Sequence, residues 1–183
     1  MKYTTTQTLL LIFSSVILLQ CTKQPLPINE NELITRVQLT FTDTLGESSS
    51  FLYCINDGIF GNKKDTISLM KNKTYSLEIS FYNVQNASVV DSINNEILEE
   101  AEEHQIFIQS ITIDSFKYMD EDNNAYPIGL KTLIKTNNIL SLEYFRIILI
   151  HQPNKKGLAV AQNQVKNAGG ATDVDISFLI KLH

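Results

Sequence analysis

Apolar and polar residues alternate along most of this chain. Leu33, Val37, Leu39 and Phe41 interleave with Arg36, Gln38, Thr40 and Thr42. A period of two sends successive side chains to opposite faces, so this stretch reads as a half-buried strand. Residues 50–56 form a second run, closed by the turn signal Asn56-Asp57-Gly58. Residues 66–70 and 74–82 flank Lys71-Asn72-Lys73 and are expected to pair as a hairpin. Within the second arm, Tyr75, Leu77, Ile79 and Phe81 share one face. The period then changes. Val90, Ile93, Ile97, Leu98 and Ala101 are spaced for a helix, with Asp91 or Ser92 placed to cap its first turn. Its end carries Glu99, Glu100, Glu102 and Glu103, which oppose the negative end of the helix dipole. A solvated face accounts for them, and so would a nearby cation.

Beyond the helix the alternation returns. Ile106 and Ile108 are out of phase with Ile111 and Ile113, which predicts a bulge near Gln109-Ser110. Phe116 and Tyr118 continue the strand to the loop 120–124. Residues 130–136, 142–151 and 174–182 complete the set. In the last, Val174, Ile176, Phe178, Ile180 and Leu182 form the core face, with Asp173, Asp175, Ser177 and Lys181 opposite. Residues 152–171 make a polar connection, long for a compact domain and therefore a candidate for function. Seven to nine short strands, one brief helix and no βαβ alternation predict an all-β domain over 32–183. The expected architecture is an antiparallel β-sandwich of the Ig-like, Greek-key kind.

The N-terminus reads as an address. Lys2 precedes an apolar run over 9–19, shorter than the ~20 residues of a membrane-spanning helix. The run ends at Leu18-Leu19-Gln20-Cys21, where a lipoprotein signal peptide is cut. Gln20 stands where that motif usually has a small residue. Residues 1–20 are therefore expected to be a signal peptide, with Cys21 the site of lipidation. Residues 21–31, with Pro25 and Pro27, read as an extended tether. This makes the protein exported and membrane-anchored, on the periplasmic face or cell surface of a Gram-negative outer membrane. The expected partners are the membrane, through lipid on Cys21, and an outer-membrane receptor or surface polymer.

Charge narrows the function. Losing Lys2 with the signal leaves 14 basic residues, one fewer than the chain's 15, against 20 acidic ones. A net charge of that sign excludes nucleic acid, whose phosphates need a basic patch, and opposes anionic head groups. There are two cysteines. Acylation of Cys21 leaves Cys54 without a partner, so no disulfide framework or cysteine metal site is expected. Cys54 sits in an apolar run and reads as a small buried hydrophobe.

Three constellations carry candidate chemistry. His104 and His151 stand at strand ends beside polar residues. With Glu103 and Asp173 or Asp175 they offer imidazole and carboxylate ligands for a divalent metal such as zinc. Two histidines also suit axial ligation of haem. Asp120-x-Asp122-x-Asn124 has the oxygen spacing that opens a calcium loop. Lys131 falls where such a loop has its bidentate Glu, and Ala125 replaces the turn glycine. No nucleophile elbow occurs and nothing pairs a Ser with a histidine, so the chain is read as a non-enzyme. The function expected is a lipid-anchored, non-catalytic binding or accessory module. The alternative is a lipoprotein that captures metal or haem through His104 and His151.

Some of these stretches carry a resemblance. They are residues 96–105, Asp120-Glu121-Asp122-Asn123-Asn124, Pro127-Ile128-Gly129-Leu130, His151-Gln152-Pro153-Asn154-Lys155 and residues 168–175. Over roughly residues 30 to 182 the chain resembles a family of small bacterial lipoproteins of unknown function. It departs from them at Ala125, where the family tends to have Gly, and at Ala171, where it tends to have Glu. The family is sometimes described as type 1 periplasmic-binding-fold proteins, which implies a two-lobed α/β protein. The length and strand content here imply a sandwich instead. The resemblance implies no particular activity.

Overall fold

The computed structural model describes residues 33–183. The expected signal peptide, Cys21 and the tether lie outside the described residues. The described residues begin with an antiparallel meander: β1 (Arg36–Asp43), β2 (Ser48–Asp57) and β3 (Gly61–Lys64). β4 (Thr66–Leu69), β5 (Thr74–Asn86) and β6 (Val89–Ser92) follow, then helix α1 (Asn94–Glu99) and a 3-10 turn at Ala101–Glu103. β7 (His104–Gln109), β8 (Ile113–Tyr118), β9 (Lys131–Thr136), β10 (Glu143–His151) and β11 (Ala171–Leu182) complete the fold. The larger sheet runs β3-β2-β1-β5-β9-β8, with β6 added to β5. The smaller runs β4-β11-β10-β7, and only its β4–β11 pairing is parallel.

The two sheets bury their alternating faces against each other. Leu39 and Phe41 of β1 and Leu77 and Phe81 of β5 share one core with Phe145 of β10 and Phe178 of β11. Phe41 meets Phe145 edge-on at 5.8 Å, and Tyr53 meets Phe178 at 5.6 Å. Such pairs add about 0.5–1.5 kcal/mol each beyond the area they bury. This is the β-sandwich the alternation predicts. The described residues form eleven strands rather than seven to nine, and the short β3 and β6 make the difference.

Three local expectations are corrected. β4 and β5 are not a hairpin, because they lie in different sheets. The residues between them cross the sandwich and are tied to both layers. Lys71 N donates to His183 O, while Lys73 N donates to Thr136 Oγ1. The helix starts at Asn94, not near 90, because Val89–Ser92 pairs with β5 instead. Asp91 and Ser92 are strand residues, not caps. Asn94 continues that edge with its side chain, accepting from Phe81 N and donating to Ile79 O. Ile93, Ile97 and Ala101 are buried as expected, while Leu98 is exposed. Finally, the phase change after Ile108 marks a change of sheet, not a bulge. Residues 110–112 carry the chain from β7 to β8. Among the register shifts of the two sheets, one falls in β11, where Leu149 faces Val174 and Ile150 faces Thr172, leaving Asp173 as the extra residue.

Residues 152–170 are a cover, built around 3-10 turns at Val160–Gln162 and Val165–Asn167. Val160 and Ala168 pack with Phe107, Ile148 and Ile150 in a second, smaller core. The smaller sheet is thus apolar on both faces there, which explains the unbroken apolar run at 147–150.

A buried fork closes the β2–β3 turn. Arg36 Nε and Nη2 donate to Asp57 Oδ2 and Oδ1 at 2.7 and 3.0 Å, and the Ile59 and Phe60 amides also donate to Oδ1. Burial pushes the Asp57 carboxyl up, but Arg36 and the two amides outweigh it and hold the pKa at about 2. A depressed folded pKa gives stability that is present above the unfolded value near 3.9 and lost as pH falls toward 2. That window carries on the order of 2 kcal/mol. Acid unfolding followed by circular dichroism is expected to be flatter between pH 4 and 2 in Asp57→Asn. An identical slope would refute this account.

Candidate metal centre

Antiparallel pairing of β7 with β10 sets His104 directly opposite His151. Both are buried, at 1% and 7% exposure. Their neighbours Gln105 and Ile150 lie under the outer cover, where Gln105 Nε2 donates to Val160 O and Ile150 joins the smaller core. The two rings stand edge to face, with His104 Nε2 and His151 Nδ1 3.0 Å apart. The far nitrogens are also engaged. His104 Nδ1 lies 3.2 Å from the Glu100 carbonyl, which only accepts, so that nitrogen carries the proton and Nε2 keeps its lone pair. His151 Nε2 faces Glu103 Oε2 at 3.5 Å. Gln152 Nε2 holds that same oxygen at 2.8 Å, and Gln152 N donates to Glu103 O.

The acidic turn before β7 therefore supplies two carboxylates with different places. Glu103 stands behind His151. Glu100, exposed, offers an oxygen that lies within 4.8 Å of donor nitrogens on both histidines. The acidic run 99–103 thus contributes Glu100 as well as the expected Glu103.

Asp173 lies near the histidine pair through the β11 bulge, outside the close group of Glu100, His104 and His151. The bulge frees it from the alternation, so it does not sit on a solvent face as the period predicts. Both its carboxylate oxygens are buried and have no hydrogen-bond partner. Burial pushes its pKa up, while His104 and His151 pull it down. Burial pushes His104 the other way, toward the neutral ring, against the pull of the Glu100 carbonyl. Asp173 also borders a cavity of about 240 Å³ between the sheets, together with Ile34, Val37 and Tyr53. Asp175 stays outside, in an exposed fork with Arg146 at 2.7 and 2.6 Å.

The calcium-loop candidates Asp120, Asp122 and Asn124 are engaged within their own turn. Asp120 accepts from the amides of Gly129 and Lys131, both at 2.8 Å. Asp122 Oδ1 accepts from the Asn124 and Tyr126 amides, and Oδ2 from Lys155 Nζ at 2.8 Å. The carboxylates close their own turn, and an ammonium already stands where a cation would compete. Ala125 takes φ +61° in this turn.

No protein-family model matches the chain, and neither a curated protein nor a solved structure is detectably similar to it.

Proposed function

We propose that this protein is a lipid-anchored, non-catalytic envelope module whose ligand is a divalent transition-metal ion held at His104 and His151. One observation carries the metal reading. The near nitrogens of the two imidazoles face each other at 3.0 Å while both far nitrogens are anchored, one on a carbonyl and one beside a carboxylate. Outer partners of that kind fix the orientation of metal-ligating histidines. Two nitrogens on a tetrahedral zinc, each about 2.0–2.1 Å from the ion, stand roughly 3.3 Å apart. The pair needs to open by only a few tenths of an ångström.

Glu100 is the carboxylate placed to join the two imidazoles, while the buried, unpartnered Asp173 lies outside that close group. Nitrogen with carboxylate oxygen suits zinc and its neighbours better than calcium or magnesium. The haem alternative fits less well, because a macrocycle between axial imidazoles needs more than the 3.0 Å seen here. The anchoring half of the reading rests on Leu18-Leu19-Gln20-Cys21.

The test is metal content. The purified protein is equilibrated with zinc, desalted and measured by mass spectrometry of the metal, beside His104→Ala/His151→Ala. One equivalent bound, and lost in the variant, is the expected result. No retained zinc, or equal retention in both proteins, would end the metal reading.

A further inference from the structure

One end of the larger sheet carries apolar side chains in solvent. Leu33, Ile55, Ile59, Phe60, Val89 and Val90 are each at least 43% exposed. Backbone contacts gather them. Ile55 N donates to Thr35 O, and Thr35 N to Tyr82 O, so the start of the described chain lies between β2 and β5. Gly58 N donates to Val84 O, and a Cβ on Gly58 would sit 2.0 Å from Gln85 O. The β2–β3 turn is therefore pressed against the β5–β6 hairpin, in which Asn86 opposes Val89. Only glycine permits that approach.

Charge here differs from the whole chain. Arg36 is paired with Asp57, and Lys63 with Asp65 at 3.3 Å. Both cations lie over the Phe60 ring, at 4.9 and 5.3 Å. Lys64 and Asp91 are exposed. The end is locally balanced within a chain of net charge −5. Charges farther than about 10 Å are largely screened, so the local balance decides what can approach.

We propose that this end faces the bilayer and that Ile59, Phe60 and Val89 enter its interfacial zone. The proposal rests on the lipid anchor at Cys21. Twelve residues of chain lead from Cys21 to Leu33, a reach of at most about 40 Å. The end that carries Leu33 is thus the one held nearest the membrane. Apolar turn residues beside lysines whose stems can snorkel are what a shallow interfacial contact uses.

The chain contains no tryptophan, so a single one reports its own surroundings. Phe60→Trp and, separately, Val89→Trp are made in the full lipidated protein. Tyr144→Trp, at an exposed position of the smaller sheet toward the opposite end, is the control. Each is reconstituted into vesicles of phosphatidylethanolamine and phosphatidylglycerol, with and without brominated acyl chains. Blue-shifted emission quenched by bromine is expected at 60 and 89, and not at 144. Unquenched emission at 60 and 89 from protein that floats with the vesicles overturns the proposal and leaves the anchor intact. Failure to float, with no acyl mass on Cys21, overturns the anchor and the proposal with it.

Discussion

Replacing Lys155 with methionine is expected to cost about 3–5 kcal/mol of stability, the range seen when one partner of a buried ion pair is removed. The Lys155 and Asp122 side chains are only 5% and 1% exposed. The ammonium donates to Asp122 Oδ2 at 2.8 Å and to the Ala101 carbonyl at 2.6 Å. One cation thus joins the outer cover, the 120–127 turn and the acidic turn beneath His104. Burial pulls Lys155 down, and Asp122 opposes it. Burial pushes Asp122 up, but Lys155 and the Tyr126 and Asn124 amides outweigh it and hold the carboxylate ionised. Methionine fills the space of the stem but leaves a buried carboxylate short of its countercharge and a carbonyl without a donor. Lys155→Met/Asp122→Asn removes the stranded charge and keeps an acceptor for the turn amides. It is expected to recover a large part of the loss. Urea unfolding of the two variants decides. A single-variant loss under about 1 kcal/mol, the range of exposed pairs, would refute this account of the knot.

That knot was invisible in the sequence, and the reason is general to this fold. Alternation is local, so β1, β5, β9 and the core face of β11 could be read residue by residue. Which sheet a strand joins is not local. Residues 66–70 and 74–82 have the pattern of a hairpin, yet β4 lies beside β11. The two histidines were legible as polar residues at strand ends. Their meeting depends on the register of β7 against β10, set by Ile106 and Ile108 facing Leu149 and Ile147. Asp173 was misplaced because one bulge reverses a face. Lys155 falls in the polar connection 152–171, and its burial exists only once Asp122 and Ala101 are brought beneath it.

Saturating zinc is expected to raise the midpoint of thermal unfolding by about 5–10 °C. An ion at a hundredfold its dissociation constant stabilises by about 2.7 kcal/mol, and each kcal/mol moves a domain of this size by roughly 2–4 °C. His104→Ala/His151→Ala should abolish the shift. Acid should lower the metal-free midpoint. Burial depresses the His104 pKa, so the unfolded chain takes up that proton first, and the stability this ring contributes is lost as pH falls below about 6.5. Asp173 has the opposite sign. Its raised folded pKa means stability present below about 3.9 and lost as pH rises through the folded value, so at neutral pH the carboxylate is a cost. A cation held at the histidine pair relieves part of that cost through space. Asp173→Asn should therefore stabilise the metal-free protein and shrink the zinc shift. General damage to the fold would lower the metal-free midpoint, so it does not give this pair of changes. Scanning calorimetry of the variant with and without zinc separates the two cases. A larger metal-free midpoint with an undiminished zinc shift would mean that the carboxylate burdens the fold without serving the ion.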